Sequence, residues 1–166
     1  TADNNQLFHV TPHWPRKRFF TPGEIMLNSR KVEDLHPLVA AKCRAFIGAC
    51  HAAGIEVLIT STYRDHDSQA ALYAQGRTLP GRKVTNAKPG QSWHNWRCAF
   101  DFVPIVNGKA MWDDHKTFMR CGEIAESVGL EWAGRWKSFP EMAHCQWSGG
   151  LTLADLQAGR QIGGKS

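Results

Sequence analysis

Two histidines and an aspartate in this chain stand in a pattern that suits a metal site. His94 lies in a polar turn, and Asp101 follows seven positions later on an apolar stretch that predicts a strand. His144 comes much later and has Glu141 three positions before it. Two neutral imidazoles and one carboxylate make a three-ligand shell with one position open for water, which is typical of catalytic zinc. The pattern therefore predicts one Zn²⁺ ion on His94, Asp101 and His144.

Two further residues are candidates for catalytic roles beside such an ion. Glu141 is not needed as a ligand, so its carboxylate could accept a proton from an acidified water and pass it to a leaving amine. Arg64 ends a predicted strand, and a fixed cation there would stabilise negative charge on a carbonyl oxygen. Taken singly, each of these five residues is more often structural, as a hydrogen-bonded histidine or an ion-pair partner. Their combination favours hydrolysis of a peptide bond.

The elements that must position these residues form a predicted α+β domain with a central antiparallel sheet flanked by helices. Apolar residues recur at three- and four-residue spacing from residue 32 to 53, which indicates a helix that ends at Gly54. Asn107 and Gly108 predict a hairpin turn after the strand that carries Asp101. Further strands are expected at 55–63, 109–112 and 144–147, and further helices at 67–75, 113–128 and 152–158. Residues 1–30 are expected to be an N-terminal arm packed on a single catalytic domain of residues 31–166.

Composition limits the possible partners. The chain is 42% hydrophobic and 21% charged, without an apolar run long enough to span a bilayer, so we expect no stable membrane insertion. The net charge of +5 favours an anionic partner, but the basic residues are scattered, which argues against nucleic acid. The five cysteines lack metal-binding spacing and are expected to be reduced thiols. Nothing in the sequence demands more than a monomer.

Three motifs together resemble one superfamily of zinc enzymes. They are SxHxxxxAxD at 92–101, ExxH at 141–144 and SxYR at 61–64. They are similar to the motifs of the D-Ala-D-Ala carboxypeptidase and L-alanyl-D-glutamate peptidase superfamily, over roughly residues 55–160. Residues 69–78, the loop 80–85 and the stretch around His94 and Asp101 look most like the L-alanyl-D-glutamate peptidases found as bacteriophage endolysins.

The resemblance implies roles at matching positions. His94, Asp101 and His144 would be the zinc ligands, Glu141 the base and Arg64 the group that polarises the substrate carbonyl. Ser92 resembles a serine that contacts substrate or orients a ligand. The chain departs from the family pattern in two places, which usually hold glycine and proline. They are Arg97, which could alter the rim of the site, and Ala143.

The function expected from this resemblance is hydrolysis of the L-Ala-D-Glu bond in peptidoglycan stem peptides by a phage endolysin. The protein would be made in the host bacterial cytoplasm, without a visible signal peptide, and would act at the cell wall. One alternative is a D,D-carboxypeptidase or dipeptidase with the same metal chemistry. Another is a non-catalytic, zinc-stabilised wall-binding domain, although such a domain needs neither Glu141 nor Arg64.

Overall fold

The computed structural model describes residues 27–164. The expected N-terminal arm, residues 1–30, lies almost entirely outside the described residues. Within the described part, no helix is both long and apolar enough to cross a membrane.

A five-stranded antiparallel sheet forms the centre of the domain, as the sequence predicts. Its strands within the described residues are β1 (Glu56–Ser61), β2 (Ala99–Val106), β3 (Lys109–Ala110), β4 (Glu131–Trp132) and β5 (His144–Gln146). Strands β1, β2, β5 and β4 are neighbours in that order, and the short strand β3 pairs with β2 through the hairpin turn at residues 107–108. Side chains of β2 alternate between the two faces of the sheet, and the two faces have different surroundings. Phe100 and Phe102 enter the core, while Asp101 between them points the other way.

Four α-helices accompany the sheet in residues 27–164. They are α1 (Pro37–Ala52), α2 (His66–Ala74), α3 (His115–Ser127) and α4 (Leu153–Gln157). The ring of Phe46 on α1 packs against Phe100 and Phe102, with ring centroids 5.7 and 4.9 Å apart. Phe118 on α3 also packs against Phe102, with ring centroids 5.5 Å apart. These aromatic contacts pack one face of β2 against both α1 and α3.

The first helix begins later than the apolar spacing predicts. Residues 32–34 form a separate turn of 3₁₀ helix, and α1 starts at Pro37 with His36 as its N-cap. Proline favours the first helical turn and disfavours helix at the residue before it, which accounts for the break. The helix expected at 113–128 begins two residues later, at His115, and its N-cap is Asp114, whose carboxylate accepts from the amide of Thr117.

Trp132 at the end of β4 is packed between two glycines. A Cβ atom at Gly122 or Gly134 would overlap the indole ring. The indole Nε1 donates a hydrogen bond of 2.8 Å to the carbonyl of Met142. Trp132 therefore ties α3 to the segment that precedes β5.

All five cysteines are free thiols buried in the domain. Burial raises the pKa of Cys43 and that of Cys98 to about 12. They fill the core, and none of them belongs to the described group of residues that could hold a metal ion.

Candidate metal centre and catalytic cavity

Asp101 and His144 meet because their strands pair in register. Asp101 on β2 lies directly opposite His144 on β5, although the two residues are 43 positions apart. Side chains directly opposite each other in an antiparallel pair lie on the same face and within contact distance. The Nδ1 atom of His144 is 3.1 Å from Oδ1 of Asp101. The sheet register alone therefore builds two thirds of the predicted ligand set.

His94 reaches the same carboxylate from outside the sheet. It lies in the 3₁₀ helix Trp93–Trp96, just before β2, and is 3% exposed. Its Nδ1 donates a 2.7 Å hydrogen bond to the backbone carbonyl of Thr62, which follows an irregularity in β1 between Ile59 and Ser61. Its Nε2 then lies 3.3 Å from Oδ1 of Asp101. The end of β1 thus sets the orientation of this ring.

The protonation pattern of these rings fits a bound cation. The carbonyl of Thr62 can only accept, so His94 carries its proton on Nδ1 and presents a lone pair at Nε2. His144 places Nε2 3.0 Å from Oε1 of Gln146, which leaves Nδ1 facing Asp101. Two nitrogen lone pairs and a carboxylate oxygen, all within 4.8 Å of one another, converge without a hydrogen atom between them in the neutral rings. This donor set suits a divalent metal ion.

The charges around this cluster shift several pKa values in the metal-free protein. Burial tends to raise the pKa of Asp101, but His94 and His144 outweigh it and hold that pKa well below its usual range. Burial tends to lower the pKa of His144, whereas the hydrogen bond and charge of Asp101 raise it overall.

Glu141 and Arg64 lie beside the cluster in a cavity of about 600 Å³. Oε2 of Glu141 is 3.9 Å from Nδ1 of His144, close to the cluster without belonging to it, and its side chain is 41% exposed. We call the surface formed by His94, Asp101 and His144 the floor of the cavity. We call the loops 84–92 and 136–143, which line its sides, the rim.

Arg64 is held from behind by side chains. Its Nη1 donates to Oε1 of Gln69 at 2.9 Å, and its Nη2 donates to Oγ of Ser61 at 3.2 Å. Burial lowers the pKa of Arg64, while the charges of Asp101 and Glu141 oppose this shift. The guanidinium is thus a fixed cation that lines the cavity.

Gln69 is a residue of this site that the sequence analysis did not single out. It is fully buried on α2, and its amide nitrogen donates 2.8 Å to the carbonyl of Ala87 in the rim. It therefore connects Arg64 to the loop that borders the cavity. The sequence contains two signals that could have identified it: it lies five residues after Arg64, and it begins the stretch 69–78 that resembles the L-alanyl-D-glutamate peptidases.

Ser92 and Arg97 have different surroundings. Ser92 lines the cavity, in agreement with a substrate-contacting role, which stays a prediction. Arg97 does not line the cavity. It adopts a left-handed conformation with φ of 61°, stacks 3.9 Å above the ring of Tyr63, and donates 2.6 Å to the carbonyl of Asp34. A left-handed residue here explains why a glycine is usual in the family pattern. These contacts do not test the effect of Arg97 on the rim, which stays a prediction.

Comparison with known proteins agrees with this geometry. The family model for D-alanyl-D-alanine carboxypeptidase (VanY) matches residues 32–147. The peptidoglycan L-alanyl-D-glutamate endopeptidase CwlK of Bacillus subtilis is 37% identical over 122 residues, covering 68% of this chain and 73% of that protein. The L-alanyl-D-glutamate peptidase of Listeria phage A118 is 31% identical over 129 residues, covering 72% of this chain and 41% of the phage protein.

A solved structure supports the fold. The vancomycin resistance D,D-pentapeptidase VanY from a VanB-type cassette, determined as a mutant in complex with Zn(II), superimposes with a TM-score of 0.55 at 13% identity. The match covers 83% of this chain and 88% of that one. From the family match and the identity to its relatives, this chain belongs to the VanY D-alanyl-D-alanine carboxypeptidase family and is an enzyme, a peptidase.

Proposed function

We propose that the protein is a zinc-dependent endopeptidase that hydrolyses the L-Ala-D-Glu bond of peptidoglycan stem peptides. The observation that carries the proposal is the convergence of three metal-binding atoms on the cavity floor, with Glu141 and Arg64 beside them. The choice of bond is supported by two relatives above 30% identity that are named for it. Zinc is supported by the donor set of two imidazoles and one carboxylate.

Each residue would have a distinct task. His94, Asp101 and His144 would hold one Zn²⁺ ion through Nε2, Oδ1 and Nδ1. When bound, the ion supplies a Lewis acid that polarises a carbonyl and lowers the pKa of water. Glu141 accepts the proton of the attacking water and transfers it to the amine of the leaving D-Glu. Arg64 stabilises the negative charge that develops on the scissile carbonyl oxygen.

A comparison of peptidoglycan cleavage by the metal-bound and the metal-free protein tests this proposal directly. Purified peptidoglycan is digested by the wild-type protein, by protein treated with a chelator, and by chelated protein with zinc restored. Mass spectrometry should show new L-Ala carboxyl termini and D-Glu amino termini in the first and third digests only. Cleavage that persists after complete metal removal would contradict the zinc mechanism.

A D,D-carboxypeptidase activity is the second candidate, because the matching family model carries that description. Digestion of muropeptides that end in D-Ala-D-Ala separates the two. Release of free D-Ala from the D-Ala-D-Ala terminus, with the L-Ala-D-Glu bonds left intact, would favour this candidate. Absence of any cleavage by zinc-loaded protein would favour the non-catalytic wall-binding domain.

The biological role we propose is that of a bacteriophage endolysin, made in the host cytoplasm and acting as a monomer on the cell wall. The similarity to the enzyme of Listeria phage A118 supports a phage setting. The net charge of +5 would attract the protein to the anionic wall. Zinc-loaded protein should clear a suspension of Gram-negative cells with a permeabilised outer membrane, and the Glu141→Ala variant should not.

A further inference from the structure

A chain of hydrogen bonds runs away from the floor of the cavity behind His144. Nε2 of His144 lies 3.0 Å from Oε1 of Gln146, two residues further along β5. Nε2 of Gln146 donates a 3.2 Å hydrogen bond to Oε2 of Glu131 on the neighbouring strand β4. The other carboxylate oxygen of Glu131 accepts a 2.8 Å hydrogen bond from the indole of Trp136.

The chemistry of Glu131 fixes the direction of every bond in this chain. An ionised carboxylate only accepts hydrogen bonds, so Gln146 must turn its NH₂ group toward Glu131. The amide oxygen of Gln146 then faces His144 and can only accept. A neutral His144 ring that binds a cation through Nδ1, the atom that faces Asp101, then carries its one proton on Nε2 and donates it to Gln146.

We propose that Gln146 and Glu131 are positioning residues that hold His144 in the tautomer and orientation needed for metal binding. This inference deepens the proposed function and rests on its metal site. Neither residue touches the metal-binding atoms, so each acts through the ring of His144.

Burial strengthens the inner part of this hydrogen-bond chain, which is the contact between His144 and Gln146. His144 and Gln146 are 6% and 5% exposed, so water has little access to replace the amide oxygen as the acceptor for Nε2. Hydrogen bonds in such surroundings are stronger than in water, and an unpaired partner is costly. If the Gln146 amide is lost, no water molecule should replace it as the acceptor for Nε2. The ring of His144 should then lose its fixed orientation.

Trp136 connects this hydrogen-bond chain to the cavity. Its ring lies 5.6 Å from that of His144 at an interplanar angle of 50°, and it lines the cavity. The indole of Trp136 also donates to Glu131. The Glu131 carboxylate therefore supports both Trp136 in the rim and the orientation of His144 on the floor. A change at Glu131 should reach the metal site without altering any residue of the predicted ligand set.

The test compares Gln146→Met, which keeps the length of the side chain without the amide, with Glu131→Gln, which lets the Gln146 amide turn either way. Zinc affinity is measured by competition with a chromophoric chelator. Loss of an outer hydrogen-bond partner typically weakens metal binding about 10- to 100-fold. We expect a loss in that range for Gln146→Met and a loss of up to about tenfold for Glu131→Gln. Glu126→Gln, an exposed carboxylate paired with Arg135, is the matched control and should retain wild-type affinity.

A second readout does not depend on metal. Nitrogen-15 NMR of the metal-free protein detects the Nε2–H proton of His144 and the rate at which this proton exchanges with water. We expect slow exchange in the wild-type protein, where Nε2 donates to the buried Gln146 amide, and faster exchange in both variants. Wild-type exchange together with zinc affinity within twofold of wild type in both variants would overturn the inference. If the wild-type protein binds no zinc at all, the proposed function fails, whereas the exchange measurement still decides the role of Gln146 and Glu131.

Discussion

The floor of the cavity and its rim are built from different kinds of structure. On the floor, Asp101 and His144 are fixed by strand register, and His94 is fixed by a backbone carbonyl at the end of β1. On the rim, Phe139 and Val84 belong to loops and are 57% and 48% exposed. Groups that must converge on one point are placed on regular elements, whereas contacts with variable parts of a substrate are carried by loops. Floor substitutions should therefore remove metal and activity together, and rim substitutions should change activity alone.

The largest effect is expected from His94→Ala. The variant loses one of three ligands, so zinc affinity should collapse and peptidoglycan cleavage should fall at least about 10⁴-fold, since the ion supplies several kcal/mol of transition-state stabilisation. Zinc content after dialysis and product release by mass spectrometry measure both quantities. His51→Ala, at an exposed histidine paired with Glu56, is the control and should keep both. A fully active His94→Ala variant would refute the assignment of the floor.

Glu141→Ala tests the boundary between floor and rim. The carboxylate lies beside the cluster without belonging to it, so the variant should bind zinc with near-wild-type affinity. Its kcat should fall about 10²- to 10⁴-fold, which is the usual contribution of a general base. Kinetics on a purified muropeptide and zinc titration provide the measurement. Unchanged lysis would show that another group is the base.

Arg64→Lys should lower kcat about 10²- to 10³-fold while zinc binding persists, as is typical when one group that stabilises a developing oxyanion is lost. Lysine keeps the charge but cannot donate to Gln69 and Ser61 together in the same fixed geometry. Arg135→Lys, at an exposed arginine paired with Glu126, serves as the matched control. Equal kcat values in the two variants would argue against a role for Arg64 in the transition state.

Phe139→Ala should affect only the rim. The ring is exposed at the cavity edge, so its removal should raise KM for a muropeptide about threefold to tenfold, equivalent to roughly 1 kcal/mol of lost apolar contact. The kcat and the zinc affinity should stay at wild-type values. Phe139 has a positive φ of 57°, and Phe139→Gly therefore separates loss of the ring from relief of the backbone conformation. Loss of zinc in either variant would break the distinction between floor and rim.

The smallest effect is expected from Arg97→Gly, outside both regions. Glycine relieves the left-handed backbone, which costs a non-glycine residue about 1–2 kcal/mol, but the variant loses the stacking on Tyr63 and the bond to Asp34. We expect the two changes to offset each other within about 1 kcal/mol in the free energy of unfolding. Peptidase activity should not change. Chemical denaturation and muropeptide kinetics test both statements. An altered KM would show that Arg97 does influence substrate binding.

The sequence predicts the principal helices and strands of the described part because their apolar spacing and glycine stops are local signals. It misses the break before Pro37, since the apolar spacing continues through residues 32–35 without interruption. It groups His94, Asp101 and His144 by residue type and spacing. The pairing of Asp101 with His144, however, depends on strand register across 43 residues, which no local signal contains.

The residues behind the site were harder to predict. Gln69 and Gln146 are ordinary polar residues in sequence, and their burial and their partners show that they support the site. Gln146 does have one signal, because it lies two positions after His144 and so shares its face of the strand. A role for Glu131 in the site cannot be predicted until β4 is known to pair with β5, which puts Glu131 opposite Gln146.

The buried thiols of the core have a practical consequence for handling the protein. At neutral pH a thiol whose pKa is raised to about 12 is almost entirely protonated, as for Cys43 and Cys98, and a protonated thiol is a poor nucleophile and a poor ligand. We therefore expect storage without thiol reductants, which would themselves compete for zinc, to leave these two cysteines unmodified. Preparations can thus be loaded with a defined amount of metal, and added zinc should titrate the histidine site rather than these sulfur atoms.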